Sequence, residues 1–169
     1  MERDVCARRF SWGRALLVAT LAGCVAFPSL AAAVEPDKKV RKQLDQRKVR
    51  YEVDEDGDFK VTYELEGGRT QLAFVRTATF AYGKLQIREI LSIGYRATGN
   101  AFPAEVANRM LEHNQSAKLG AWTKQGNLGL FTSKIAADAS AEELVDAIEV
   151  TVSLADELEK EFSGDKDEF

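Results

Sequence analysis

The stretch "FKVTYELEGGRTQLAFVRTATFAYGKLQIREILSIGY", residues 59–95, decides the fold because its apolar side chains recur at every second position. Such alternation is typical of strands that have one face on a core and the other in water. Glycines at Gly67-Gly68 and at Gly83 interrupt the alternation and predict turns. The stretch therefore predicts three antiparallel strands joined by tight turns.

The face of these strands that we predict to point inward is the one with the larger apolar side chains. It consists of Phe59, Val61, Tyr63, Leu65, Leu72, Phe74, Ala78, Phe80, Tyr82, Leu85, Ile87, Leu91, Ile93 and Tyr95. Arg76 and Glu89 fall on the same face, where a charged side chain is rarely buried unless it is paired. We predict that both reach water at an edge or end of the sheet. The alternative is a paired charge that lines a groove.

Upstream, the segment "VDEDGDF", residues 53–59, is similar to a calcium loop because three aspartates alternate in it. A calcium loop needs glycine at its sixth position and glutamate at its twelfth, and this chain has Phe59 and Leu65 there. The dipeptide Asp56-Gly57 between alternating segments is instead typical of a hairpin turn. We predict that turn, after a short first strand at Tyr51 and Val53, and no metal site.

A helix and a hairpin are predicted downstream of the strands. Pro103 suits the first turn of a helix that ends around residues 114–116. Two strands follow at residues 119–123 and 128–134, around a turn at Gly126-Asn127.

The last and the first helix are predicted from their caps and apolar stripes. Ser140 and Glu143 form a capping box at the start of the last helix. Its apolar stripe consists of Leu144, Ile148, Val152, Ala155, Leu158 and Phe162. A short, highly charged helix is predicted at Glu35–Lys48, with a thin apolar stripe of Val40 and Leu44, and we predict that it lies on the surface. The order α-β-β-β-β-α-β-β-α is that of an α+β fold, a single antiparallel sheet with helices packed against one face.

Residues 1–33 have the pattern of a secretory signal peptide that is removed. A basic start precedes the apolar run "ALLVATLAGCVAF", residues 15–27, which is shorter than the roughly 20 residues that span a bilayer. The small residues Ala31–Ala33 supply a cleavage site. We predict export, a periplasmic or secreted location, no membrane span, and a mature domain that begins at Val34.

One alternative concerns "LAGC", residues 21–24, which is similar to a bacterial lipoprotein box. Processing there would lipidate Cys24 and anchor the protein to a membrane. Cleavage after Ala33 would instead remove both Cys6 and Cys24, which leaves the mature domain without disulfide or thiol chemistry.

Charge and missing motifs argue against several classes of function. The chain has a net charge of −4, and the segment 138–169 holds 12 acidic and 2 basic residues, which disfavours a nucleic acid partner. The single histidine, His113, cannot build a zinc site alone, and we predict a surface or half-buried helix residue. No nucleophile elbow or phosphate loop occurs. We predict a protein that is not an enzyme and that carries no cofactor.

Several segments together resemble the YbjN family. They are "DEDGDF" (54–59), "LQIREILSIGYRA" (85–97), "RMLEHNQSAKLGAW" (109–122) and "AEELVDAIEVTVSLADELEKEF" (141–162). The resemblance covers residues 40–162 and implies a type III secretion chaperone-like fold, an interaction module for a partner polypeptide, and homodimerisation. It supplies no catalytic residue. Chaperones of this fold work in the cytosol, whereas this chain is predicted to be exported, so only the fold and the mode of interaction carry over.

Two functional hypotheses follow for the domain 34–162, which precedes a polar tail, 163–169, predicted to be disordered. The first is a protein-interaction module, chaperone-like or regulatory, that adds a peptide to a sheet edge or holds apolar anchors in a groove. Trp122, Phe131 and Tyr95 are its candidate contact residues, with a core position as the alternative for each. The second is a periplasmic small-molecule or ion binder with an enclosed pocket.

Overall fold

The alternating segments form one sheet in the computed structural model, which describes residues 34–164 and 166–169. The predicted signal peptide and the Cys24 alternative lie outside these residues. The elements are α1 (Lys38–Gln46), β1 (Glu52–Val53), β2 (Phe59–Glu64), β3 (Thr70–Tyr82), β4 (Leu85–Arg96), α2 (Ala104–Ser116), β5 (Ala121–Gln125), β6 (Leu128–Ala136) and α3 (Ala141–Ser163). This is the predicted order.

The six strands lie in the order β1-β2-β3-β4-β6-β5, and every neighbouring pair is antiparallel. All three helices contribute to the two core clusters on one face of the sheet, which we call the helix face. The predicted α+β class, with a single antiparallel sheet and helices packed on it, is confirmed.

Two local predictions are also confirmed. The amide of Ser140 donates to Glu143 Oε2 (2.7 Å), and the amide of Glu143 donates to Ser140 Oγ (3.2 Å), which completes the capping box of α3. The segment between β1 and β2 is a turn in which Asp54 Oδ1 accepts from the amides of Asp56 (3.0 Å) and Asp58 (2.9 Å). Gly57 has a φ of +77°, which favours glycine.

The predicted inward face is correct for β2 but wrong for β3 and for β4 up to Ile93. Tyr95, which follows an irregularity in the pairing of β4 with β6, packs on the helix face as predicted. Ala73 and Val75 of β3 and Ile90 of β4 lie in the core on the helix face. The larger apolar side chains of these two strands, including Leu72, point to the opposite face, because neighbouring residues of a strand point to opposite sides. The register with β2, which pairs Phe59 with Val75, fixes this choice.

Close packing of α3 explains why the smaller side chains of β4 face the helices. A Cβ added at Gly94 would lie 2.5 Å from Trp122 Cη2 and 2.6 Å from the Ala155 carbonyl oxygen. The helix therefore rests directly on the backbone of β4, and at this position only glycine, which has no Cβ, admits it. Ser92, on the same face, is fully buried and donates to the Leu72 carbonyl oxygen at 2.7 Å.

Gly94→Ala tests this close approach. The added methyl group would overlap the Trp122 ring and the α3 backbone, and we expect the free energy of unfolding to fall by about 2 kcal/mol. Gly99→Ala is the matched control, since nothing lies within 4 Å of its added Cβ. Urea denaturation of both variants measures the difference. Equal stability of the two would contradict the direct contact between α3 and β4.

Candidate functional site

The second face of the sheet, which we call the open face, carries large apolar side chains in two groups, and Glu89 of β4 lies between them. The apolar members of the open face are Leu72, Phe74, Phe80, Tyr82, Leu85, Ile87, Leu91 and Ile93. Cross-strand pairs join Phe74 to Leu91, Phe80 to Ile87 and Tyr82 to Leu85, which places these side chains beside one another. Within residues 34–164 and 166–169, the helices pack on the helix face only.

The most exposed part of the open face is a two-stranded arm, residues 79–86. The last partner of β2 on β3 is Val75, and the last partner of β6 on β4 is Ile87, so beyond these positions the two arm strands pair with each other. At the base of the arm the Ala137 amide also donates to the Gln86 carbonyl oxygen at 2.7 Å. Its three large apolar side chains, Phe80, Tyr82 and Leu85, are 50%, 77% and 59% exposed. Exposed apolar side chains clustered in this way mark an interaction surface in many soluble proteins.

Arg88, at the base of the arm, is only 3% exposed. Its guanidinium donates to the carbonyl oxygens of Arg76 and Thr77, where β3 bulges, and its Nη2 lies 2.5 Å from Asp37 Oδ2. Burial acts to raise the pKa of Asp37, but hydrogen bonds from the Val40 amide and from Arg88 outweigh it, and the net pKa is lowered. Arg88 therefore ties the arm to the start of α1.

A second ion pair secures the other side of the bulge. Asp58 Oδ1 accepts from the Thr77 amide at 2.7 Å, and Asp58 Oδ2 lies 3.0 Å from Arg76 Nε. Burial raises the pKa of Asp58, an effect only partly offset by the Thr77 amide and Arg76. Glu89 instead pairs with Lys134 at 3.4 Å, so Arg76 and Glu89 have different partners and do not form one charged site.

One edge of the sheet offers a groove beside the free part of β2. β1 pairs only with Phe59 and Lys60, which leaves residues 61–64 without a neighbouring strand on that side in the described chain. The groove has a volume of about 760 Å³ and is lined by residues 49–52 and 60–64. Tyr63 in its wall donates to Glu149 of α3, and burial and that carboxylate raise the pKa of Tyr63 to about 12.

The direction of the backbone groups along this edge follows from two hydrogen bonds. The Asp58 carbonyl oxygen accepts from the Asp54 amide on the β1 side, and the Leu65 amide donates to the Arg69 carbonyl on the β3 side. Because these directions alternate along a strand, the amide and carbonyl groups of Thr62 and Glu64 point into the groove. An added strand could hydrogen-bond to them.

The structure places the three predicted contact residues on the helix face. Trp122 and Phe131 are buried against each other with ring centroids 5.6 Å apart, so neither is available to a partner. Tyr95 is half-buried and packs edge-on against Phe102 and Phe162. These positions correspond to the core position that the sequence left open as the alternative for each residue, because α2 and α3 cover this part of the sheet.

The sequence did not indicate the open-face residues as a site, because large apolar side chains usually lie in a protein core. A signal was present in the sequence: Ser92 and Gly94 alternate with Leu91 and Ile93, and small side chains mark the face on which a helix can pack closely. His113, predicted at the surface or half-buried, is buried near Trp122, with ring centroids 6.4 Å apart.

Residues 34–164 and 166–169 hold no group of three or more side chains that could together bind a metal ion. None of their helices is both long and apolar enough to cross a membrane. The groove beside β2 lies along a sheet edge, whereas a small-molecule site is usually a deep cleft or cavity that covers most of its ligand.

The fold and the site define an α+β protein with one six-stranded antiparallel sheet and an apolar face opposite its three helices. Compared with known proteins, the chain matches no family model and no curated protein. The resemblance to the YbjN family stays a prediction.

Proposed function

We propose that the chain is a non-enzymatic protein-interaction module, chaperone-like or regulatory, that binds a partner polypeptide in the periplasm after export. The observation that carries this proposal is the open face, which presents Phe80, Tyr82 and Leu85 to solvent on an arm held by a buried arginine. A firmly held apolar surface loses little conformational freedom when a partner covers it, which favours binding.

The free energies of side-chain burial and of association indicate how much of the open face a partner must cover. Burial of three fully exposed large apolar side chains would contribute roughly 5–9 kcal/mol, and these three are already partly covered, while association costs on the order of 4–15 kcal/mol. The arm alone therefore does not suffice for stable binding. A partner must also cover half-buried members such as Phe74 and Leu91, or form backbone hydrogen bonds with Thr62 and Glu64 at the sheet edge.

Leu85→Asp tests the proposal in a capture experiment with the domain from Val34 and the envelope fraction of the source cell. A charge at the centre of an apolar contact is costly to desolvate, so we expect retention of the partner polypeptide to fall at least about tenfold. The captured material is quantified by mass spectrometry. Intact mass of the native protein shows at the same time whether it begins at Val34 or at a lipid-bearing Cys24.

Leu111→Asp is the matched control, since Leu111 is 65% exposed against 59% for Leu85 and lies on α2, away from the open face. We expect this variant to retain the partner. Equal retention by both variants, or a co-purifying metal or small ligand in place of a polypeptide, would contradict the proposal. Self-association through the open face, expected if the partner is a second copy, would also be lost in Leu85→Asp alone.

A further inference from the structure

The polar tail predicted to be disordered is instead in contact with the domain over Lys166–Phe169. This tail segment lies in a groove formed by the turn between β2 and β3, the end of β4 and the end of α3. Phe169 is buried. The contacts of the segment show which chemistry the groove recognises.

The acidic residue Asp167 is held at the β2–β3 turn. Its Oδ2 accepts from the amide (3.1 Å) and the hydroxyl (3.2 Å) of Thr70, and its Oδ1 lies 3.5 Å from Arg69 Nη2. Arg69 Nη1 also donates to the Lys166 carbonyl oxygen at 3.2 Å. Arg69 and Thr70 thus bind one carboxylate and one carbonyl oxygen of the tail segment.

Glu168 and Phe169 are held by residues of β4 and α3. The Glu168 amide donates to Glu159 Oε1 at 2.6 Å, and the Glu168 carboxylate lies 2.7 Å from Arg96 Nε. The Phe169 ring lies beneath the same arginine, with Cζ of Arg96 5.3 Å from the ring centroid. A charged pair and a cation–π contact therefore converge on Arg96.

Arg69, which contacts the tail segment, is held in place by residues outside that segment. Arg69 Nε lies 2.6 Å from Asp156, and its Nη2 lies 3.1 Å from Glu159, which is almost completely buried on α3. A cavity of about 270 Å³ remains beside Phe169, and Tyr95 and Phe162 contribute to its walls. The groove therefore has room for a side chain that is larger than Phe169 or differently placed, and the charged side chain of Arg69 is already held in position.

We propose that this groove is a binding site for a partner polypeptide that carries two acidic residues followed by an aromatic residue. The tail segment is its intramolecular occupant and competes with the partner. Lys166, Asp167 and Glu168 lie at the surface, and Phe169 belongs to neither core cluster, so the segment can leave without opening the core. The groove is separate from the open face, and this proposal does not depend on the function proposed for that face.

Fluorescence anisotropy with a labelled peptide of residues 164–169, Gly-Asp-Lys-Asp-Glu-Phe, tests the proposal on the full chain. A chain that carries Asp167→Ala, Glu168→Ala and Phe169→Ala frees the groove of its own segment. We expect it to bind the peptide at least about tenfold more tightly than the unchanged chain, because a tethered competitor acts at a millimolar effective concentration. A peptide with alanine in place of phenylalanine is expected to bind at least about tenfold more weakly.

Arg96→Ala, added to the tail variant, is expected to reduce peptide binding at least about tenfold. Arg109→Ala is the matched control, since Arg109 is 40% exposed against 46% for Arg96 and makes a similar ion pair, with Glu161 at 2.8 Å. It should leave peptide binding unchanged. Circular dichroism confirms that each variant is folded. Absence of peptide binding to the folded tail variant, or equal effects of the two arginine substitutions, would overturn the proposal.

Discussion

Phe131→Ala is expected to lower the free energy of unfolding by about 3–5 kcal/mol. Phe131 is 0% exposed and lies in the middle of β6, between Ser92 of β4 and Trp122 of β5. Its removal takes apolar contacts from the cluster that joins α2, α3 and the sheet, and leaves a cavity that the surrounding side chains fill only in part. Chemical denaturation followed by tryptophan fluorescence measures the loss.

Phe80→Ala is the control for this substitution, because the same side chain is removed from the exposed arm. We expect a change in the free energy of unfolding of less than about 0.5 kcal/mol, as at most surface positions. Phe131→Leu, which keeps most of the volume, should cost no more than about 1.5 kcal/mol and stays measurable if the alanine variant does not fold. A small effect of Phe131→Ala would restore Phe131 as a candidate contact residue.

Arg88→Ala is expected to lower the free energy of unfolding by about 3 kcal/mol, with the largest structural change in the arm. The substitution leaves the carbonyl oxygens of Arg76 and Thr77 and the carboxylate of Asp37 without the partner that the structure gives them. Removal of one member of a buried ion pair costs about 3–5 kcal/mol, and the partial exposure of Asp37 places this case at the lower end.

The pH dependence of stability gives a second readout for Arg88. The lowered pKa of Asp37 contributes stability that is present above its ordinary value of 3.8 and is lost as the pH falls below it. Arg88→Ala removes two of the interactions that lower this pKa, so the acid-induced loss of stability below pH 3.8 should be smaller in the variant. Arg109→Ala, at an exposed ion pair, should match the unchanged protein in both measurements.

Features that depend on nearby residues could be predicted from the sequence. The capping box of Ser140 and Glu143 and the turn at Asp56-Gly57 involve residues within four positions of one another, and both are confirmed. The apolar stripe of α3 was equally clear, since a 3.6-residue period is read along a single segment. These local patterns were sufficient to predict the order of elements and the α+β class.

The face of β3 could not be predicted in this way, because both of its faces carry apolar side chains. Leu72 and Phe74 compete with Ala73 and Val75, and pairing with β2 and the close approach of α3 at Gly94 decide between them. The tail segment was missed for a related reason, since Asp167 binds Thr70, 97 positions earlier in the chain. Apart from the small side chains of Ser92 and Gly94, which are visible in the sequence, the candidate site depends on such distant contacts and emerged from the structure.

Photo-crosslinking from position 82 in the source cell tests most directly the claim that the open face binds a polypeptide. A photoreactive phenylalanine derivative replaces Tyr82, the most exposed open-face residue, and in a second strain it replaces Leu111 on α2. We predict a polypeptide adduct, with another protein or with a second copy of the chain, from position 82 and none from position 111. No adduct from position 82, or the same adducts from both positions, would contradict the claim.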